Sequence, residues 1–132
     1  MKKFLLSIVF ALGILCSANA QLPSVTLKDI NGKTVRTDTL SNNGKPFIID
    51  FFATWCQPCK AMHPILEQVK SVLGDRIRII KVDVDKYGVT ASQYRIQSVP
   101  TLMLFRNGEV LWRTSGVVDK AELLATLDPF LI

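Results

Sequence analysis

Cysteine and histidine are scarce in this sequence, and their scarcity limits the chemistry available to it. The 132 residues include three cysteines and one histidine, His63. A structural zinc site needs four ligands, and no second cysteine pair repeats the spacing of Cys56 and Cys59. Attachment of c-type haem requires a histidine directly after the second cysteine, where this chain has Lys60. We therefore predict that the protein holds no metal and no haem.

Runs of like charge are also missing. The formal net charge is +5, but the basic residues are spread along the chain without a basic run or basic–aromatic alternation. The sequence therefore lacks the basic patch that is typical of nucleic-acid-binding proteins. Apolar residues make up 48% and charged residues 20%, the balance of a folded globular protein. A chain of this length forms one domain around a single hydrophobic core.

The N-terminal segment has the pattern of a secretory signal peptide. Lys2 and Lys3 give it a positive start, and an unbroken, almost wholly apolar run follows at residues 4–16. The small residues at 18–20 then offer a cleavage site before Gln21. The apolar run is shorter than the ~20 residues that span a bilayer, so we expect this segment to be removed.

Cys16, at the end of the apolar run, leaves one alternative open. A cysteine in this place can be a lipid attachment site, and the protein would then be a lipoprotein. That signal requires small residues immediately before the cysteine, where this chain has Ile14 and Leu15. We therefore favour a periplasmic or otherwise secreted protein over a lipoprotein.

Removal of the signal peptide, residues 1–20, leaves one domain whose two thiols are Cys56 and Cys59. A bridge between cysteines so close in sequence closes too short a loop to stabilise a fold much. A purely structural disulfide is thus a weaker interpretation than a dithiol that cycles between reduced and oxidised forms. The domain, residues 21–132, divides into an N-terminal hairpin and loop at 21–45 and a core at 46–132.

Hydrophobic periodicity predicts an α/β fold. Residues 47–53 have the pattern of a strand buried on both faces, and the period then changes to that of a helix ending near Gly74. The apolar face of that helix is predicted to contain Met62, Ile65, Leu66, Val69, Val72 and Leu73. The other predicted elements are a hairpin at 25–37 turning at Asn31-Gly32, a strand at 76–85, a short helix within 86–94, a strand pair at 101–116 joined at Asn107-Gly108, and a helix from Asp119 to before Pro129. This order gives a mixed central β-sheet flanked by helices on both faces.

The segment WCQPCK, residues 55–60, falls where the buried strand ends and the long helix begins. Open α/β folds place their sites at the carboxyl ends of strands. The junction also puts Cys56 at the positive end of a helix, beside backbone N–H groups that have no partner within the helix. The sequence therefore predicts a site at this junction.

Residues 46–131 resemble the thioredoxin family. The resemblance rests on FIIDFFATWCQPCKAMHPILEQV, on IIKVDVDKYGVTASQYRIQSVPTLMLFRNGEVLWRTSG and on the terminal helix. Its specific features are the Trp-Cys-x-Pro-Cys-Lys motif, an Asp six residues before the first cysteine, and a later Val-Pro-Thr segment. Gln57 stands where the family usually has Gly, and it adds no charge beside the cysteines. Residues 21–45 resemble the opening hairpin of exported thioredoxin-like proteins that serve cytochrome c maturation, but the insertion that those proteins carry is absent.

The resemblance implies a thioredoxin fold and different roles for the two cysteines. Cys56 is expected to be the nucleophile, because the thiolate is the attacking species and a helix N-terminus favours it. Cys59, one turn further into the helix, is expected to be buried and to resolve the mixed disulfide, so that the pair cycles through a Cys56–Cys59 disulfide. Lys60 and His63 are interpreted as exposed or packing residues with no metal role.

Asp50 is the most informative residue outside the motif. Its neighbours are apolar, so its carboxyl lies in a strand that we expect to be buried. A buried, poorly paired carboxyl has a raised pKa and can exchange protons near neutrality. The resemblance implies that Asp50 relays protons for Cys59, and Lys81 on the adjacent strand is a plausible partner that moderates it.

Five further residues are predicted to form the substrate-binding side of the site. Trp55 and Pro58 are expected to be rigid walls near the sulfurs. The resemblance implies that the bond between Val99 and Pro100 is cis and packs against the disulfide, with the Val99 backbone pairing to an extended substrate. We expect Gly116 to allow a close approach of the backbone beside the site.

The sequence thus predicts an exported thiol–disulfide oxidoreductase that reduces protein disulfides without a metal, nucleotide or organic cofactor. An upstream membrane or exported dithiol donor must regenerate it, because the export compartment is oxidising. We expect a monomer. Three alternatives stay open: a disulfide oxidase or isomerase, a reductase for cytochrome c maturation, and a binding module without turnover.

Overall fold

The computed structural model describes residues 26–29, 32–36 and 44–131. The predicted signal peptide, including Cys16, lies outside these residues, and so does Asn31 of the predicted hairpin turn. Within the described ranges, no helix is both long enough and apolar enough to cross a membrane.

The described part of the chain contains strands and helices in the order that the periodicity predicts. They are β1 (Thr26–Asp29), β2 (Thr34–Arg36), β3 (Phe47–Phe52), α1 (Gln57–Leu73), β4 (Arg78–Asp83), α2 (Gly88–Gln93), β5 (Thr101–Arg106), β6 (Glu109–Ser115) and α3 (Lys120–Leu127). Single 3₁₀ turns follow α1 and α3, at Gly74–Arg76 and Asp128–Phe130. The N-terminal hairpin is confirmed, since β1 and β2 pair antiparallel.

The strands form one mixed sheet in the order β2-β1-β4-β3-β5-β6. The pair β3 and β4 is parallel, and the other neighbours are antiparallel. Strand β3 lies inside the sheet, and its residues Phe47 to Phe51 are all buried. Apolar side chains on both faces of this strand explain its position, because an inner strand must be covered on each side.

Two hydrophobic cores, one on each face of the sheet, confirm the predicted layers. On one face, Ile48 of β3 packs with buried side chains of α1 and α3, including Leu66 and Leu123. On the other face, Phe51 packs with Phe105 in a second core that the residues flanking α2 cover. Successive side chains of a strand point to opposite faces. Asp50, two residues after Ile48, therefore lies on the face that α1 covers.

Helix α1 buries a narrower stripe than the sequence predicts. Its buried residues are Cys59, Met62, Leu66, Val69 and Leu73. Ile65 is partly buried, but Val72 is 51% exposed, so its assignment to the apolar face is wrong. Ile65 and Val72 are seven residues apart and share the flank of the stripe, where packing against the sheet ends. Pro64 lies within the helix, which continues through it.

Two local signals read from the sequence are confirmed. The β5–β6 turn consists of Asn107 and Gly108, with φ angles of 51° and 79°, as a two-residue hairpin turn requires. Helix α3 begins after Asp119, whose carboxylate accepts a hydrogen bond of 2.8 Å from the backbone N–H of Glu122. This contact satisfies one of the unpaired N–H groups at the helix start.

Candidate active site

Cys56 caps the N-terminus of α1 with its own sulfur. The backbone of Cys56 is extended, and its Sγ accepts a hydrogen bond of 3.1 Å from the backbone N–H of Cys59. The N–H of Cys56 is itself bonded to the carbonyl of Ala53, so the loop after β3 fixes the sulfur's position. A sulfur that accepts an N–H at the positive end of a helix lies where a thiolate, once the pair is reduced, is stabilised.

The two sulfurs are bonded to each other, at an Sγ–Sγ distance of 2.18 Å. The expected Cys56–Cys59 disulfide is therefore present. Burial does not distinguish the two cysteines, because Cys56 is 4% and Cys59 is 5% exposed. What distinguishes them is the cavity that each one lines.

Cys56 lines a cavity of about 470 Å³, which we call the front cavity. Its walls are Trp55, Cys56, Gln57, Pro58, Val84, Ile96, Gln97, Ser98 and Val99. The indole of Trp55 is 70% exposed, and its Nε1–H donates to Asp85 Oδ2 at 2.9 Å. A hydrogen bond to Asp85, rather than packing in the core, thus holds this ring in the cavity wall.

The loop before β5 forms the opposite side of the front cavity. The peptide bond between Val99 and Pro100 is cis, as the resemblance implies, and Pro100 is buried. The Sγ of Cys56 lies 3.7 Å from the Val99 carbonyl oxygen. The hydroxyl of Thr101 donates to the carbonyl of Ser98 at 2.8 Å and ties the loop to the first residue of the strand. The Val99 backbone therefore lies directly beside the disulfide.

Gly116 lies beside this loop for a reason different from the predicted one. We expected it to permit a close backbone approach, but a Cβ added there would have nothing within 4 Å. Its φ of 95° lies in the region that glycine adopts readily and other residues rarely do. The conformation lets its N–H donate to the Pro100 carbonyl at 2.9 Å, which links β6 to the loop.

Cys59 lines a second cavity of about 310 Å³, which we call the rear cavity. Its walls are Phe52, Ala53, Thr54, Cys59, Lys60, His63 and Lys81. The start of α1 thus presents its two cysteines to separate cavities, Cys56 to the front and Cys59 to the rear. This is an arrangement in which the two sulfurs meet different partners.

Asp50 is buried without a hydrogen-bond partner at one of its oxygens. The residue is 1% exposed, and its Oδ1 has no donor among the described residues. Burial raises the pKa of Asp50 from 3.8 to about 6, although the positive charge of Lys81 lowers it in part. The carboxyl therefore changes its protonation close to neutral pH, as its apolar neighbours in the sequence predict.

Lys81 and Asp50 are paired in register on β4 and β3, but no ion pair joins them in the described part of the chain. The Lys81 ammonium instead lies 2.8 Å from His63 Nδ1 and 4.6 Å from the centre of the Phe52 ring. As expected, Lys81 lowers the pKa of Asp50, but it does so through its charge and without a direct contact. His63, interpreted from the sequence as an exposed or packing residue, is partly exposed and in addition contacts Lys81 and Glu67.

Sequence reasoning missed His63, although a signal for it exists. His63 follows Cys59 by four residues and precedes Glu67 by four, so the three side chains share one helix face. The structure joins two of them, with His63 Nε2 lying 3.1 Å from Glu67 Oε1. Across residues 26–29, 32–36 and 44–131, no group of three or more His, Cys, Asp or Glu side chains is placed to hold a metal.

Comparison with known proteins identifies the family. The sequence model of the Thioredoxin family matches residues 29–129. A thioredoxin-like protein of Synechocystis is 48% identical over 94 residues, which cover 71% of this chain and 90% of the relative. A thioredoxin of Mycobacterium tuberculosis is 40% identical over 104 residues, which cover 79% and 88% of the two chains.

A solved structure gives the same result for the fold. Thioredoxin-2, described as a component of malaria parasite protein secretion machinery, matches with a TM-score of 0.63 and 30% identity. The match covers 64% of this chain and 82% of that one. The chain belongs to the thioredoxin family. With a disulfide between Cys56 and Cys59 at the family's motif, it is a thiol–disulfide oxidoreductase.

The titration of Asp50 predicts a pH-dependent stability. A carboxyl whose pKa rises on folding binds its proton more tightly in the folded state, so the protein loses stability as pH increases from about 4 to about 6. A rise of this size corresponds to about 3 kcal/mol. Asp50→Asn removes the titration and should be more stable than the wild type at pH 7.5, with the difference vanishing near pH 4.

Denaturant unfolding of the disulfide form at both pH values measures this difference. Asp75→Asn provides the matched control, because Asp75 is exposed. An Asp50→Asn variant that gains no stability at pH 7.5, or gains equally at both pH values, would contradict the assignment.

Proposed function

We propose that this protein is an exported reductase of protein disulfides that works by exchange through Cys56 and Cys59. The observation that carries the proposal is that each of the two cysteines lines a different cavity. Cys56 caps α1 and lines the wider front cavity beside the Val99 backbone, where a substrate can reach it. Cys59 lines the rear cavity on the side of Lys81.

The exchange begins from the reduced pair. The Cys56 thiolate attacks one sulfur of a substrate disulfide, forms a mixed disulfide, and releases the other substrate sulfur as a thiolate that takes up a proton. Cys59 then loses its proton and attacks Cys56 Sγ. This second step forms the Cys56–Cys59 disulfide and releases the second substrate thiol. The pair has passed two electrons to the substrate, and the proton from Cys59 together with one proton from solvent completes the two substrate thiols.

Asp50 is the proposed acceptor of the Cys59 proton in the second step. Its raised pKa leaves it a carboxylate at neutral pH that still binds a proton better than an ordinary aspartate. No hydrogen bond joins Asp50 to Cys59 in the described residues. Asp50 does not itself line the rear cavity, but its register partner Lys81 lines it together with Cys59, and we place there a water molecule that carries the proton from Cys59 towards Asp50.

The front cavity supports recognition of an extended peptide next to its disulfide. Trp55 and Pro58 form one wall, and the carbonyl of Val99 on the other side offers a backbone acceptor. An extended chain that pairs with this carbonyl would bring its sulfur toward Cys56. Pro100 and Gly116 hold the loop in place through the hydrogen bond between them.

The charges around Cys56 favour a reductase over an oxidase. Strong oxidants of this chemistry have a reduced form that is unusually stable, because positive charge near the sulfur stabilises their thiolate in addition to the helix end. The walls of the front cavity include no Lys, Arg or His. The Cys56 sulfur accepts a single hydrogen bond, from Cys59, within the part of the chain that the structure describes. Gln57 and Pro58 add no charge.

The reduction potential of the Cys56–Cys59 pair tests the direction of electron flow. We expect a value closer to about −270 mV, typical of thioredoxin, than to about −120 mV, typical of a strong oxidant. Equilibration with glutathione or dithiothreitol buffers, read by alkylation of free thiols, measures it. A potential at the oxidising end would make the protein an oxidase or isomerase.

Single substitutions test the roles of the two sulfurs. Cys56→Ser should abolish the protein's reduction of insulin in an assay in which dithiothreitol re-reduces the protein, because the attacking sulfur is gone. Cys59→Ser should still attack, and it should accumulate covalent adducts with protein substrates because nothing resolves them. Non-reducing gels and intact mass detect these adducts. Adducts that form on Cys56→Ser, rather than on Cys59→Ser, would reverse the assignment, and an inactive wild type would favour a binding module.

Export is the remaining part of the proposal. It is supported by the basic, apolar and small-residue pattern of residues 1–20. The intact mass of the protein recovered from its native compartment should correspond to a chain that begins at Gln21. An acylated N-terminal Cys16 would show a lipoprotein instead, and a mass that retains residues 1–20 would contradict cleavage.

A further inference from the structure

His63 lies close to the resolving cysteine and to Lys81, the register partner of the buried acid. It lies one helical turn after Cys59 and, with Cys59 and Lys81, lines the rear cavity. Its Nδ1 is 2.8 Å from Lys81 Nζ, and its Nε2 is 3.1 Å from Glu67 Oε1. The imidazole thus connects the ammonium on the sheet to a carboxylate on the helix.

The chemistry of these groups fixes the direction of both contacts. An ammonium has only donors, so Lys81 donates and His63 Nδ1 accepts. Nδ1 therefore carries no proton, and the proton of the neutral ring lies on Nε2. From there it is donated to the carboxylate of Glu67. Both contacts are satisfied by the neutral ring that carries its proton on Nε2. The lone pair of Nδ1 then accepts the hydrogen bond from the Lys81 ammonium.

Asp50 is the group that would otherwise take the Lys81 ammonium. The two residues are opposite each other on parallel strands, so their side chains share the face that α1 covers. In the described residues, nevertheless, no ion pair joins them, and Asp50 Oδ1 has no donor at all. The Lys81 ammonium lies against His63 and the Phe52 ring instead.

We propose that His63 is a positioning residue, which holds the Lys81 ammonium toward helix α1 and thereby withholds it from the Asp50 carboxylate. The inference rests on the proposed function, in which Asp50 takes the proton of Cys59. A carboxylate in direct contact with an ammonium is held ionised and gives up its ability to bind that proton. His63 therefore lets Asp50 bind the Cys59 proton although Lys81 is its neighbour on the next strand.

Of the other charged groups near this network, Asp83 could also accept from Lys81, since the two line a neighbouring cavity, but its Oδ1 already accepts from the backbone N–H groups of Asp85 and Lys86. Lys28 lies opposite Lys81 on β1, so it repels the Lys81 ammonium and offers it no acceptor. Lys60, on the rim of the rear cavity, is likewise a donor only. Glu67 contacts the far nitrogen of the ring. On the β5 side, the register partner of Asp50 is the apolar Leu102.

Titration of the Asp50 carboxyl, followed by ¹³C NMR in the disulfide-bonded protein, tests the proposal without depending on activity. His63→Ala removes the acceptor, so Lys81 should move to Asp50 and lower its titration midpoint by about one pH unit or more. His63→Gln keeps an oxygen acceptor and should stay close to the wild type. His63 is partly exposed, so both variants should fold, and thermal unfolding checks that they do.

A double-mutant cycle shows whether His63 acts through Lys81. Lys81→Met should raise the midpoint, and adding His63→Ala to it should change nothing more. The proposal is overturned by an unchanged midpoint in His63→Ala, by an equal shift in the Lys81→Met background, or by a midpoint in His63→Gln as low as in His63→Ala.

Turnover separates this inference from the proposed function. If Asp50 takes the Cys59 proton, His63→Ala should slow the resolution of mixed disulfides several-fold at neutral pH, and Asp50→Asn should slow it at least as much. If Asp50→Asn resolves them at the wild-type rate, the proposed role of Asp50 fails. The effect of His63 on the Asp50 midpoint is measured independently of that result.

Discussion

A carboxyl buried in an inner strand of the sheet, with an unpartnered oxygen, is the constraint on which the rest of this site depends. Asp50 lies on the face of the sheet that α1 covers, and keeping its carboxyl ionised there costs the folded protein about 3 kcal/mol at neutral pH. An asparagine would fit the same space without this cost. The chemistry of the neighbouring cysteines gives a reason for an acid here, because resolution requires a group that accepts a proton near neutrality.

The fold supplies the surroundings that make this acid useful. The parallel pairing of β3 with β4 brings Lys81 beside Asp50, close enough to moderate it. Helix α1 starts immediately after β3 and closes over the same face of the sheet. Its first turn directs Cys56 to the front cavity and Cys59 to the rear. The two sulfurs therefore meet different surroundings at one helix start.

His63 connects the two halves of this arrangement. Its ring binds the Lys81 ammonium from above the sheet, and the same ring is tied to Glu67 one turn further along α1. A short polar network thus reaches from the helix surface to the buried strand. Because this network holds the Lys81 ammonium away from Asp50, the pKa of Asp50 stays raised although a cation lies on the next strand.

Local sequence signals predict most of the fold and the place of the site. The strand at 47–52, the turn at Asn107-Gly108 and the cap at Asp119 each depend on a few neighbouring residues, and each is observed. Contacts between distant elements are a different matter. The bond from Lys81 to His63 spans eighteen residues, and that from Trp55 to Asp85 spans thirty, so no local pattern predicts them.

The predictions for Val72 and Gly116 were wrong because local sequence does not show how distant elements pack. Val72 fits the helical period of α1, but the extent of the sheet below it decides that it is exposed. Gly116 was correctly placed beside the site, yet its backbone angle, rather than crowding, explains the glycine. In both cases the residue's environment depends on the packing of other elements.

The measurement that tests this account most directly is the titration of the Asp50 carboxyl in the wild-type disulfide form, followed by ¹³C NMR. The account predicts a midpoint near 6, since burial outweighs the charge of Lys81. A midpoint near 4, the value of an ordinary aspartate, would show that Asp50 is effectively paired or solvated. The site would then lack the proton acceptor on which the mechanism depends.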